Sequence, residues 1–197
     1  MGSPCRIPSV DTRVKHRVTL HHLSDRVVNA EHETSGEPGV RCTVLLGERF
    51  TIVFDTLYSQ RDMRQVCALV EERRRPVLVI NSHADDDHAW GNGAFPLAPI
   101  IGHDLCRQRF VVGHELASQL EQRQEENPEE FEHVELIAPD ITFSSTLTVD
   151  AGGFTVVLHH LPGHKGDCLV AHLPELGFLL GGDTVESPIH SSWTVPC

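Results

Sequence analysis

The sequence contains no run of roughly 18 or more apolar residues, so no segment is expected to span a membrane. Its opening residues, MGSPCRIPSVDTRVKHRVTL, lack the continuous apolar stretch of a secretory leader, and a cytoplasmic location is the expectation. The cysteines Cys5, Cys42, Cys67, Cys106, Cys168 and Cys197 are scattered and form no C-x-x-C pair. They read as reduced thiols, some of them buried, rather than a disulfide framework. Basic residues are scarce: 16 Lys and Arg stand against 28 Asp and Glu, for a formal net charge of −12. A protein that grips phosphate backbones needs the opposite balance, so nucleic acid is not an expected partner. Internal repeats and low-complexity blocks are missing as well.

What remains is an ordinary globular composition. The 197 residues, 40% hydrophobic and 22% charged, suit one domain that buries a real core. Residues 1–16 are polar and irregular, and 17–197 read as a single domain. Val40–Leu46 and Phe50–Phe54 flank Gly47-Glu48-Arg49 and predict a hairpin. The spacing of Met63, Val66, Cys67, Leu69 and Val70 predicts an amphipathic helix over 62–75, ending before Pro76. Val77–Ile80 is a continuous apolar run, as in a strand covered on both faces. Helical pieces follow over 104–126, and the acidic run EQRQEENPEEFEH (121–133) reads as a solvated loop between helices. Strands return at 141–143, 147–149, 154–159, 168–172 and 177–180. This order predicts a layered α/β domain with mixed sheets.

Chemistry concentrates after the apolar strand 77–80. His83, Asp85, Asp86, Asp87 and His88 fall within six residues, and a strand-end loop can fold several such side chains toward one point. Taken alone, this loop is either a metal-binding cluster or a polar cap of the following helix, with Asp87 as N-cap. Two later segments tip the balance toward metal. His164 in LPGHKGDCL and Asp183 in LLGGDTV each follow a strand-type run.

With these fragments in order, the chain resembles the metallo-β-lactamase-fold superfamily over roughly residues 17–189. The family's Asp at the end of an early strand looks like Asp55 in FDT. Its H-x-H-x-D-H loop looks like His83, Asp85, Asp87 and His88. Its P-G-H histidine looks like His164, and its G-D aspartate like Asp183. The resemblance implies an αββα sandwich, two mixed β-sheets with helices on the outer faces. It also implies one or two divalent ions, with His83, Asp85 and His164 at one position and Asp87 and His88 at the other. Asp183 would bridge them, Asp87 would orient the nucleophile, and Asp55 would support the ligands or simply close a turn. The implied activity is a metallo-hydrolase whose metal-activated hydroxide attacks a small ester, thioester, lactone or related small-molecule substrate.

Two departures qualify the resemblance. Asp85 replaces the loop's second histidine. Zinc is the ion the family favours, but a carboxylate here makes the site harder and moves preference toward Fe²⁺ or Mn²⁺. The family's final histidine has no counterpart before Cys197, and His190 lies too near Asp183 to be assigned. The expectation is a C-terminally short member, or a second metal position with one protein ligand fewer. The alternative functions are therefore a non-haem iron oxidoreductase of the sulfur dioxygenase kind, or a truncated, non-catalytic member that pairs an open sheet edge in a homodimer. Of the other polar residues, Asp86 reads as exposed or helix-capping, and Trp90 as core. His103 is assigned either to the cleft or to the scaffold. Lys165 and Asp167 are surface residues by default. In His21-His22 and His159-His160 neighbouring side chains point to opposite faces, so both pairs read as structural.

Overall fold

The computed structural model describes residues 5–6, 18–33 and 39–185. Among these residues eleven strands are defined: β1 Val18–His22, β2 Val27–His32, β3 Val40–Leu46, β4 Thr51–Phe54, β5 Val77–Ile80, β6 Ile100–His103, β7 Ile141–Phe143, β8 Thr146–Asp150, β9 Thr155–His160, β10 Leu169–Leu173 and β11 Phe178–Leu180. The helices are α1 Arg64–Arg73, α2 Asp86–Ala89, α3 Asp104–Val111, α4 His114–Glu126 and α5 Pro128–Phe131. No helix among the described residues is long and apolar enough to cross a membrane.

Seven strands form one sheet in sequence order, β1 to β7, and four form a second in the order β11-β10-β9-β8. The first sheet changes character halfway. β1 to β4 pair antiparallel through short turns, whereas β4 to β7 are parallel, and each parallel step needs a crossover. Helix α1 supplies the first crossover, and α3 to α5 the last. The second sheet is antiparallel throughout among the described strands.

The alternation of side chains sorts the core into two layers. Val44, Val53, Val77 and Val79 face a cluster with Val66, Cys67 and Val70 of α1. Their neighbours Leu45, Ile52, Leu78 and Ile80 face the second sheet and meet Leu158, Leu169 and Ala171. Each such fully buried aliphatic side chain contributes about 1.5–3 kcal/mol. The large sheet is therefore the middle layer, which is why β5 is apolar at every position. This is the two-sheet α/β architecture expected from the sequence.

Two elements differ from expectation. The hairpin β1–β2 precedes the first strand read from sequence, because its outward positions are His, Asn and Glu and dilute the strand signal. The acidic run 121–133 is mostly helix rather than a loop. Glu, Gln and Arg are good helix formers, and Phe131 anchors the run by packing edge-on against Trp90, ring centroids 5.9 Å apart. Asn127 and Pro128 only redirect the chain between α4 and α5.

Candidate metal centre

The polar groups gather beyond the carboxyl ends of β4, β5, β9 and β11. Directly after β4 the chain turns sharply, with Asp55 at φ 63° and Leu57 at φ 48°. Asp tolerates this left-handed region; a buried Leu there carries strain. The turn faces Gly91, whose missing side chain matters. A Cβ there would overlap the Thr56 carbonyl, so only glycine lets α2 and the 3₁₀ turn that follows it approach β4.

A buried amide network holds that approach. Asn81 Nδ2 donates to the His88 carbonyl (3.2 Å) and to Asn92 Oδ1 (3.0 Å), and Asn92 Nδ2 returns a bond to Asn81 Oδ1 (2.9 Å). Thr56 Oγ1 also donates to Asn92 Oδ1 (2.9 Å). All three side chains are buried and mutually satisfied, so they fix where α2 begins.

Asp55 then orients the imidazoles. Its carboxylate accepts from the Ser82 amide (2.7 Å) and the Ser82 hydroxyl (2.8 Å), and stands 2.9 Å from His88 Nδ1. A carboxylate only accepts, which assigns the proton to His88 Nδ1. The Ser82 hydroxyl, with its hydrogen spent on Asp55, accepts from His83 Nδ1 at 3.0 Å. Both rings therefore turn Nε2 inward, the atom that binds a metal once it carries no proton.

The inward atoms meet. The ligand atoms of His83, Asp85 and His164 lie within 4.8 Å of one another, and so do those of His83, His88 and Asp183. His164 Nε2 is 3.3 Å from Asp85 Oδ2 and 3.9 Å from Asp183 Oδ2. His88 Nε2 is 3.2 Å from Asp183 Oδ1 and 3.3 Å from Asp87 Oδ2. Asp183 reaches in because Gly182 adopts φ 49° and a Cβ there would press on Ser82 Oγ. The six residues singled out in the sequence thus share one locale. Asp183 stands between His88 and His164, His83 belongs to both groups, and Asp87 meets the cluster at His88.

The cluster fits a cation. His83 Nε2 is buried with no hydrogen-bond partner, and Asp85 Oδ2 stands 3.5 Å away. Four carboxylates, those of Asp55, Asp85, Asp87 and Asp183, converge on the same rings. Burial disfavours the charged form of Asp183, yet the hydrogen bond from His88 and the nearby His83 and His164 hold its pKa at about 2. Burial likewise opposes ionisation of Asp85, but His83 and Arg109 keep it well below the usual carboxylate range. Burial opposes a charged His88, and the carboxylates of Asp87, Asp55 and Asp183 outweigh it and raise its pKa well above the ordinary value. Such a concentration of negative charge around buried imidazoles calls for a positive ion.

Other residues sit differently from expectation. Asp167 is not a surface residue: it is 1% exposed and accepts the Ala84 amide at 3.0 Å. Arg109, which the sequence did not single out, donates to both Asp167 and Asp85. Nothing in its local pattern marks it, since only the tertiary approach of α3 brings it near. His103 belongs to the scaffold, with Nδ1 accepting the Leu105 amide and its ring stacked 3.7 Å from His160. Asp86 stays outside the cluster and pairs with Arg123 at 3.2 Å. Lys165, exposed in part, has Nζ 3.7 Å from Asp85 Oδ2. Trp90 is fully buried, as expected of a core residue. His190 lies outside the described residues.

Residues 35–196 match the family model of the metallo-beta-lactamase superfamily. The chain belongs to that superfamily. Solved metallo-beta-lactamases share the fold. One from Pontibacter korlensis is 18% identical, aligned over 83% of this chain and 70% of that one, with a TM-score of 0.62. DIM-1 metallo-beta-lactamase is 17% identical over 88% and 73% of the two chains, TM-score 0.62. A third, from Erythrobacter litoralis, is 18% identical over 85% and 70%, TM-score 0.59. Among curated proteins, none matches the chain. At these identities the metallo-beta-lactamase structures speak for the fold alone. What the superfamily membership adds is that its members are mostly metal-dependent hydrolases, which agrees with the two His/Asp groups found here.

Proposed function

We propose that the protein is a metal-dependent hydrolase of a small ester, thioester, lactone or related substrate. The observation that carries this is the convergence of His83, Asp85, His88, His164 and Asp183, with the buried His83 Nε2 left for a ligand. His83, Asp85 and His164 would hold one ion, and His88 and Asp183, with Asp87 beside them, a second. Zinc is the ion expected for the family, and Asp85 also admits Fe²⁺ or Mn²⁺. A divalent ion so bound supplies positive charge that brings the pKa of a coordinated water toward neutrality and offsets charge growing on a substrate carbonyl.

The chain's own groups do the remaining work. Asp87, held ionised by His88 against the opposing effect of burial, accepts a proton at Oδ2 and orients the attacking water. Asp55 and Ser82 keep the Nε2 atoms of His83 and His88 aimed inward through turnover, so no reorganisation is needed when substrate arrives. Lys165 stands at the rim and is suited to meet a negatively charged part of a substrate.

A second reading rests on one specific feature. His83, Asp85 and His164 are two imidazoles and one carboxylate, the composition of non-haem iron oxygenase sites. It favours an iron oxidoreductase of the sulfur dioxygenase kind. Purification without added metal, followed by elemental analysis and assays on ester, thioester and lactone panels, separates the two. Bound zinc or manganese with hydrolysis supports the hydrolase. One iron per chain with thiol-dependent oxygen uptake supports the oxidoreductase. In either case His83→Ala is expected to lower turnover about 100-fold or more, since loss of a group that merely supports a ligand already costs 10–100-fold. Hydrolysis that survives both His83→Ala and Asp183→Ala would overturn the metal mechanism.

A further inference from the structure

We propose that Arg109 is the positioning residue that makes Asp85 usable as a metal ligand, by holding one of its oxygens and leaving the other for the ion. The inference rests on the metal-dependent reading above. Arg109, on α3, extends a two-pronged guanidinium. Nη2 donates to Asp85 Oδ1 at 2.6 Å, and Nη1 donates to Asp167 Oδ1 at 3.1 Å and Oδ2 at 3.3 Å. The other Asp85 oxygen, Oδ2, faces His83 Nε2 at 3.5 Å and His164 Nε2 at 3.3 Å. One carboxylate is thus divided between an organic cation and the place where the metal would sit.

The same guanidinium joins the two loops that carry these ligands. Asp167 Oδ2 accepts the amide of Ala84, the residue between His83 and Asp85. Asp167 itself lies three residues beyond His164 in the loop between β9 and β10. Arg109 therefore fixes the spacing between Asp85 and His164 as well as the angle of the Asp85 carboxylate.

The charge arithmetic explains why an arginine is needed. Asp85 occupies the position where the resembled pattern has a neutral histidine. With Asp55, Asp87 and Asp183 it brings a fourth anion to the cluster, and Asp167 adds a fifth that is fully buried. An unpaired buried carboxylate is costly, and the planar fork of arginine is the one side chain that serves two carboxylates at once with directed bonds. Lys165 does not substitute: its Nζ is 3.7 Å from Asp85 Oδ2, beyond hydrogen-bond range and on the oxygen that faces the histidines.

The test titrates metal-free protein with Co²⁺ alone, followed by calorimetry and by the visible absorption that reports coordination. It uses the unaltered chain, Arg109→Met and Arg109→Lys, each also in an Asp85→His background. With Asp85 present, Arg109→Met is expected to weaken Co²⁺ binding by about 100-fold, and Arg109→Lys by about tenfold, the span typical for groups that support a ligand. In the Asp85→His background the loss is expected to shrink to under about threefold, because imidazole needs no counter-charge and the two sites no longer couple. Denaturation of the metal-free proteins follows folding separately, and Arg109→Lys, which keeps a cation beside Asp167, carries the test if Arg109→Met does not fold. Equal losses in both backgrounds would assign Arg109 to the scaffold through Asp167 alone and overturn the proposal. So would Co²⁺ binding by the Arg109 variants as tight as by the unaltered chain. Absence of saturable Co²⁺ binding by the unaltered chain would overturn the metal-dependent reading itself, and this inference with it.

Discussion

The two sides of the cluster are built differently. His83, from the loop after β5, and His88, from α2 that follows it, are 0% and 4% exposed, and each ring is held at Nδ1 by a partner that is itself buried. His164 and Asp183, from the loops after β9 and β11, have side chains 29% and 27% exposed. Among the described residues, their contacts are mainly with the other members of the cluster. The first side is welded to the core through Asp55, Ser82, Asn81, Asn92 and Thr56. The second is mounted on the smaller sheet and joined to the first through Arg109 and Asp167. One side is fixed by the same bonds that stabilise the fold. The other is free to adjust to an ion or a substrate at small cost to the fold, the division expected where part of a site must be rigid and part must open.

This contrast is breakable by substitution in the metal-free protein, read by urea denaturation. The largest effect is expected from Gly91→Ala. Its Cβ meets the Thr56 carbonyl, which is backbone and cannot swing aside, so a loss of about 3 kcal/mol is expected. Next comes Asp55→Ala, which leaves the Ser82 amide, the Ser82 hydroxyl and His88 Nδ1 without their acceptor. A loss of about 2–3 kcal/mol is expected, the range for bonds to a charged group. A loss below about 1 kcal/mol would show that the rigid side is not coupled to the fold. The smallest effect is expected from His164→Ala. Its removal is expected to change the stability of the metal-free protein by no more than about 0.5 kcal/mol. Metal affinity is nevertheless expected to fall at least about tenfold. A large loss of stability from His164→Ala would erase the distinction between the two sides.

Legibility in the sequence followed the same division. Strands β3 to β5 were readable because apolar side chains on both faces of a middle layer leave an uninterrupted run, as in VLVI. The cluster residues were readable from their order after strands and from the resemblance that order carries. That they come together in space is visible in the geometry; that they hold a metal is the proposal. The β1–β2 hairpin was not readable, because an edge with His, Asn and Glu facing outward has no strong period. The helical character of 121–133 was hidden because composition alone does not separate a solvated helix from a solvated loop when one aromatic, Phe131, decides it. Arg109 and Asp167 were illegible for a deeper reason. Their ion pair spans 58 positions and is set by how α3 lies across two loops, which no local pattern records. Asp167, flanked by Gly166 and Cys168 in a polar loop, looked like a surface residue, and only the Ala84 amide and Arg109 draw it inside.

The account stands or falls on whether these six side chains hold an ion. Crystals grown with Zn²⁺ or Mn²⁺ and measured at the metal's absorption edge test this most directly. An anomalous peak about 2.0–2.2 Å from His83 Nε2, with oxygen of Asp85 and Nε2 of His164 in the same shell, is the predicted result for zinc. Occupied sites elsewhere with none at His83, or a peak there that persists undiminished in His83→Ala crystals, would contradict it.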